Sequence, residues 1–452
     1  MGLDLYLSGT FRQGGKPTRE VLEEIVADIG ETFADEIDAH IDIYESEEGQ
    51  PVIGIPAHAA AELAQVAIPE RGRLECIART NACGPGYHQF VVRLFEHVAK
   101  TLEATWDRAD CEDDTGYFES RDRKVLEKAM LDWLQANCQG ASEAMRETDA
   151  DLSTAKFCLP MTNESYLLQG AVATPMGPRP FEWVHAVAAD ASKGKDFFAW
   201  WDEEFSAQVI LNKALHLMWV EARWTTPVME GDFQTLVHIH NLLTLAHEED
   251  ESLELPWAEW AEIIGHLEAV GDDSDLEIDE SLAAMVRAKA KGKKATIGFR
   301  RGKVVLHPAS GWTLELPGEF TMLEGIEDEE DDDELGVTFV AGERMLNIAC
   351  LELTEDSLNQ QERIATEFGD PEARKLGRWN GESLVCAAYA NDREDDEGNP
   401  ITETQCFAVG PTQVLMCRCL GPTDESVDWI LEIAKSVKHI PSEAVHADDD
   451  ED

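Results

Sequence analysis

Acidic side chains outnumber basic ones 91 to 37 in this chain of 452 residues, a formal net charge of −54. An excess of that size must be carried on surfaces, because a carboxylate is almost never buried without a partner. It restricts the chain to folds in which most acids stay solvated. The 43% hydrophobic content still supplies sizeable cores, which separates this chain from acidic disordered proteins. Such a surface repels phosphate backbones and anionic lipid, so no nucleic-acid partner and no membrane insertion are expected. A protein partner that is basic or carries apolar segments is favoured instead. A competing explanation is an acidic, halophile-adapted housekeeping protein, whose charge serves solubility alone.

No run reaches the roughly 18 apolar residues that suggest a spanning helix. The opening MGLDLYLSGTFRQGG has no basic segment leading into an apolar one, unlike a secretory signal. Ten cysteines occur at irregular spacings, and several, such as Cys350 and Cys386, lie in apolar strand-like runs. There they read as small hydrophobes rather than disulfide partners. The expected compartment is a reducing cytoplasm.

Periodicity gives an α+β fold. Residues 1–118 alternate strand and helix patterns: Leu3–Leu7, His40–Tyr44, Val52–Ile55 and Leu74–Ala78 read as strands. A helix over 18–33 places Val21, Ile25, Val26 and Ile29 on one face, and another is expected over Gln89–Leu102. Residues 119–270 read as largely helical, with strands at Lys156–Pro160 and Tyr166–Val172. Together these make an N-terminal domain over 1–270, of one unit or two. Residues 271–296 pass from GDDSDLEIDE into RAKAKGKKA and read as a charged linker, either neutralising the chain's own acids or docking an acidic partner. Residues 297–440 form a second α+β domain with acidic insertions at 326–334 and 392–399, and 441–452 are an acidic disordered tail.

The second domain opens with GWTLELPGEF and closes with DESVDWILEIAKSVKHI. Trp312, Leu314, Leu316, Pro317 and Phe320, then Ile430, Ile433, Ser436 and Lys438, occupy the positions that characterise the PsbP-like α/β/α sandwich, which this domain resembles. The resemblance implies an antiparallel sheet between helices and a binding or adaptor role. One branch of that family comprises effector-associated secretion chaperones that hold apolar effector segments. No functional residue is carried over from it, and the N-terminal region resembles no family.

Two segments hold the candidate site residues. In NACGPGYH, Cys83 and His88 could form a thiol–imidazole pair, since a thiol needs a base or cation to become nucleophilic. Gly84, Gly86 and Tyr87 could form a ligand-binding turn at a helix start, or a purely structural turn. In FFAWW, Phe198, Trp200 and Trp201 belong to five bulky or apolar positions in a row that cannot all face one way, so some are candidates for partner contact. Asp114-Thr115-Gly116 lacks the second carboxylate of an aspartic protease. His238 and His240 diverge on a helix, and Cys417 and Cys419 lack a completing ligand, so no metal is expected. Phosphate-binding glycine loops and the GxSxG elbow do not occur, and no cofactor is expected.

The expected function is therefore non-enzymatic protein binding of immunity or chaperone/adaptor type, toward a basic or apolar effector. A Cys/His-dependent hydrolase centred on Cys83 and His88 is the alternative of a different class.

Overall fold

The computed structural model describes residues 2–11, 19–37, 40–46, 49–69, 72–147, 154–160, 162–271, 278–323, 336–353, 360–367, 372–381, 383–394, 398–422 and 427–439. The acidic insertion at 326–334 and the tail at 441–452 lie outside them, as do 395–397 of the second insertion.

Strict alternation builds the first sheet. Leu74, Cys76 and Ala78 of one strand are buried while Ile77 faces solvent, so a single face can receive helices. The strands are β1 (Asp4–Thr10), β2 (Asp42–Glu45), β3 (Pro51–Ile55), β4 (Ala64–Ala67) and β5 (Arg73–Arg79), in the order β2-β3-β4-β5-β1 and antiparallel throughout. Short β6 (Thr105–Trp106) and β7 (Glu112–Asp113) also pair with β1. Helices α1 (Arg19–Thr32) and α2 (Pro85–Thr101) share its core, through Leu22, Ile25 and Ile29 and through Phe90, Leu94 and Val98.

A helical layer follows: α3 (Tyr117–Ser120), α4 (Arg123–Glu147), α5 (Phe181–Ala189), α6 (Ala207–Val220), α7 (Glu230–Glu249), α8 (Trp257–Val270) and α9 (Glu280–Ala290). Leu126, Met130, Leu134 and Cys138 recur every fourth residue of α4, the spacing that makes one stripe, and pack on Val184 and Val187 of α5. The expected linker at 271–296 thus contains a folded helix. Asp279 caps α9 by accepting from the Ser281 and Leu282 amides, and Ala283 and Val286 are buried in the α6–α8 core. Its charged side chains masked a narrow apolar stripe. In and beside that segment, Arg287 pairs with Glu268, and Arg301 meets Glu262 bidentately at 3.0 and 2.8 Å.

Two strand expectations in the middle region change. Lys156 makes only an isolated bridge to Ala173, and Tyr166–Val172 divides into β8 (Glu164–Tyr166) and β9 (Ala171–Thr174), the latter forming a hairpin with β10 (Gly177–Pro180).

The last region contains β11 (Lys303–Leu306), β12 (Trp312–Pro317), β13 (Thr321–Met322), β14 (Val337–Ala341), β15 (Arg344–Glu352), α10 (Gln361–Glu367), β16 (Arg374–Asn380), β17 (Val385–Glu394), β18 (Pro400–Val409), β19 (Gln413–Pro422), α11 (Asp428–Ser436) and β20 (Lys438–His439). Seven strands make one antiparallel sheet, β13-β14-β15-β19-β18-β17-β16. Alternate residues feed opposite faces: Ala388, Cys406, Cys417 and Cys419 pack with Ile430 and Ile433 of α11, while Ala387, Tyr389, Phe407 and Val409 pack with Ile364 and Ala365 of α10. A helix therefore covers each face. Trp312, Leu314, Leu316 and Phe320 join the α11 side, and the Ser436 hydroxyl accepts from the Glu315 amide at 2.8 Å, tying α11 to β12. A second sheet, β20-β12-β11-β8, takes its edge strand β8 from the middle region, so pairing crosses the boundary expected at 297. The fold class is α+β.

Candidate functional site

The two candidate segments meet each other. The Trp200 amide donates to the Cys83 carbonyl at 2.8 Å and the Gly86 amide donates to the Trp200 carbonyl at 3.1 Å, so FFAWW lies against the turn that opens α2. This contact accounts for both glycines. Gly84 has φ +107°, and a Cβ there would come within 2.7 Å of the Phe198 Cβ. A Cβ on Gly86 would stand 2.0 Å from the Asp202 carbonyl oxygen. Pro85 occupies the first helical turn of α2, where its missing N–H costs nothing. The bulky run divides between two cores: Phe197 and Phe198 enter the α4–α5 core, and Trp200 enters the first sheet's core, stacked on Phe90 at 5.3 Å. Trp201 is partly buried, with Lys195 Nζ 4.9 Å from its ring centroid. Residues Gly84, Gly86, Tyr87, Phe198 and Trp200 are all buried, and this segment pins the helical layer to the sheet.

Cys83 and His88 serve separate environments. The Cys83 thiol is fully buried, and burial pushes its pKa well up, with only partial relief from the Lys213 ammonium, opposite to what a nucleophile requires. His88, also fully buried, has Nδ1 2.9 Å from Thr80 Oγ1 and Nε2 3.3 Å from Thr115 Oγ1 and 3.6 Å from Asp113 Oδ2. Asp113 accepts from the Thr115 amide and hydroxyl and from the Phe118 amide at 2.8, 2.7 and 2.6 Å. Burial favours its neutral form, but His88 and these donors hold its carboxyl well below the usual carboxylate range. The group fastens β7 and the start of α3 onto α2. Asp114 accepts from the Asp4 amide at 3.0 Å. His240 accepts from the buried Trp260 indole at 3.0 Å. Cys406, Cys417 and Cys419 lie in the sheet core, and among the described residues no cluster of three or more His, Cys, Asp or Glu is arranged to hold a metal ion.

A cavity that no motif announced lies where the helical layer meets the C-terminal sheet. It has a volume of about 690 Å³. Its apolar floor follows from strand register. Met322 pairs with Phe339 and Val337 with Ile348, and cross-strand partners share a face. Met322 and Val337 remain 42% and 38% exposed there. The opposite wall is charged. Arg223 donates to Asp232 at the start of α7 (2.7 Å) and to the Phe320 carbonyl (3.2 Å). Arg300 lies 2.6 Å from Glu164 of β8 and donates to the Val220 carbonyl (2.9 Å). Asp232 also accepts from the Thr321 hydroxyl at 2.6 Å. Burial and, next, the Arg300 charge lower the Arg223 pKa below the usual guanidinium value, so the two cations sense one another. Glu221 also lines the cavity, and no ion pair to it occurs among the described residues. The available sequence signal was arginine beside large aromatics, in ARW at 222–224 and FRR at 299–301, in a chain otherwise poor in cations.

No protein family and no curated protein matches this chain. Among solved structures, a crystal structure from Bacteroides thetaiotaomicron is similar at 12% identity and a TM-score of 0.24, over 30% of this chain and 47% of that one. This chain thus spans about half the length of that protein. The solution structure of cyanobacterial PsbP (CyanoP) from Synechocystis is similar at 10% identity and a TM-score of 0.22, over 29% of this chain and 87% of that one. The likeness is a distant PsbP-like resemblance over part of the chain and carries no further argument. Among the described residues, no helix is long and apolar enough to cross a membrane.

Proposed function

We propose that this chain is a non-enzymatic binding protein of immunity or chaperone/adaptor type, and that its cavity at the junction seats a basic, partly apolar segment of an effector protein. The observation that carries this reading is the cavity's two-sided chemistry. An apolar floor including Met322, Val337 and Phe339 faces a wall where Arg223 and Arg300 are set against Asp232 and Glu164 and where Glu221 adds a further carboxylate, in a molecule of net charge −54. Apolar side chains of a partner would leave water on the floor, while a lysine or arginine would meet Glu221 and be steered there by the field of the whole protein. The closed surroundings of Cys83 and His88 favour this reading over hydrolysis, since a nucleophile needs a path for substrate.

The test uses native lysate with two baits, the wild-type chain and a Met322→Lys/Val337→Lys variant. The reading expects a basic protein on the wild-type bait at low salt, lost in 1 M salt on the order of Debye lengths of 3 Å, and lost on the variant. Equal recovery by both baits, or none by either, rejects it.

A further inference from the structure

Arg223 and Arg300 also line a second, smaller cavity of about 230 Å³, together with Trp224, Arg301, Gly318 and Glu319. We propose that this smaller cavity binds a small oxyanion, a phosphate or carboxylate group, between the Arg300 guanidinium and the Trp224 indole N–H.

Two residues that line it carry buried donors without acceptors among the described residues. Arg300 is only 8% exposed; its Nε donates to Val220 and its Nη2 faces Glu164, but Nη1 has no hydrogen-bond partner among the described residues. The Trp224 Nε1 is likewise buried and without an acceptor among them. A buried donor left unmatched is costly and uncommon, and a guanidinium carries five N–H groups in a fixed fork suited to oxyanions. Neighbouring backbone holds this arrangement in place. Trp224 adopts φ +57°, rare for so bulky a residue, and the Arg301 guanidinium sits 3.7 Å from its ring centroid. Gly298, at φ +130°, lets the chain pass where a Cβ would be 2.1 Å from the Trp224 Nε1. Gly318 does the same against the Arg300 carbonyl, at 2.2 Å.

The missing partner must accept hydrogen bonds. Glu319 lines the cavity but receives Arg344 at 2.6 Å. Glu164, Asp232 and Glu262 each lie within ion-pair distance of one of the three guanidiniums, although Glu164 Oε2 makes no hydrogen bond among the described residues, so net local charge is small and recognition rests on directed donors. Repulsion from the protein's distant acids is screened beyond about 8 Å at physiological salt. An anion with two or more acceptor oxygens fits this pattern; chloride, a single sphere, satisfies it less well.

The experiment titrates the full chain with sodium phosphate, sodium acetate and sodium chloride at matched ionic strength, by calorimetry and thermal melting. Saturable binding and a raised melting temperature with phosphate or acetate, but not chloride, are expected, and the better of the two identifies the oxyanion. Trp224→Phe keeps the ring under Arg301 and removes the donor; it should weaken binding about tenfold, the loss of one charge-assisted hydrogen bond. Arg300→Lys should weaken it further, and if that variant does not fold, Trp224→Phe decides. Equal responses to all three salts, or binding unchanged in Trp224→Phe, overturn the proposal. The titration needs no protein partner, so its outcome is independent of the effector-binding reading.

Discussion

The brace at Cys83–Trp200 and the junction at Arg223–Arg300 each join the helical layer to a sheet, yet they treat buried polar groups in opposite ways. In the brace, backbone amides and carbonyls match across the contact, and aromatic rings fill the space around Gly84 and Gly86. Tyr87 Oη and Trp200 Nε1 are nonetheless left without partners among the described residues, in a fully buried aromatic core. At the junction, Arg300 Nη1 and Trp224 Nε1 are also unmatched, but their residues line cavities. An unmatched donor in a packed core is a cost of packing, whereas one beside a cavity is a handle for an acceptor. Burial therefore points to function only when it is read together with space.

Four experiments would break or sharpen that contrast. Trp200→Ala should have the largest effect, about 4 kcal/mol of destabilisation in urea denaturation, because it empties a core position that Phe90 stacks on and Phe205 meets edge-on. A loss under about 1 kcal/mol would mean that the brace is not structural. Arg223→Met should cost about 2 kcal/mol, less than the usual 3–5 for a broken buried pair, because Asp232 keeps its Thr321 hydroxyl. Tyr87→Phe should leave stability unchanged or raise it by about 1 kcal/mol, since it removes a buried hydroxyl that has no partner among the described residues. A loss of similar size would show that the hydroxyl is bonded in solution and would weaken the contrast.

The smallest effect is in pH dependence. The Asp113 carboxyl has a folded pKa below its unfolded value of 3.8, so its contribution is complete above that value and is lost as pH falls through the lower folded one. Asp113→Asn should flatten the acid limb of a stability–pH curve in that window and leave the neutral plateau's slope unchanged. An acid limb identical to wild type would detach Asp113 from His88.

Much of this architecture was legible in local pattern. The alternation in Leu74–Ala78 announced a half-buried strand, and the apolar stripe of α6 suits its helix. Trp312, Leu314, Leu316 and Phe320 share one core with Ile430 and Ile433, more than a hundred residues away. Short or polar strands were missed: β4 is four residues long, and β16 reads RKLGRWN, an edge strand with one covered side. The helix α9 was hidden because its lysines dominate the pattern while two small apolar residues carry the packing. As for the site, the sequence marked Cys83–His88 and Phe198–Trp201 as unusual without indicating that each was unusual because of the other. Arg223 and Arg300 carried no motif, since their partners Phe320 and Val220 lie 97 and 80 residues away.

What the sequence determined by itself was the net charge, the class of the strongly patterned elements and which side of them is apolar, because these depend on composition and on neighbours within one or two turns. Which faces meet was decided only by tertiary structure. Residues with no local relation become neighbours when layers close, and a cavity arises where two such layers fail to fill the space between them. The brace and the junction have that same origin. One contact closed around its glycines, and the other left two buried donors beside open volume.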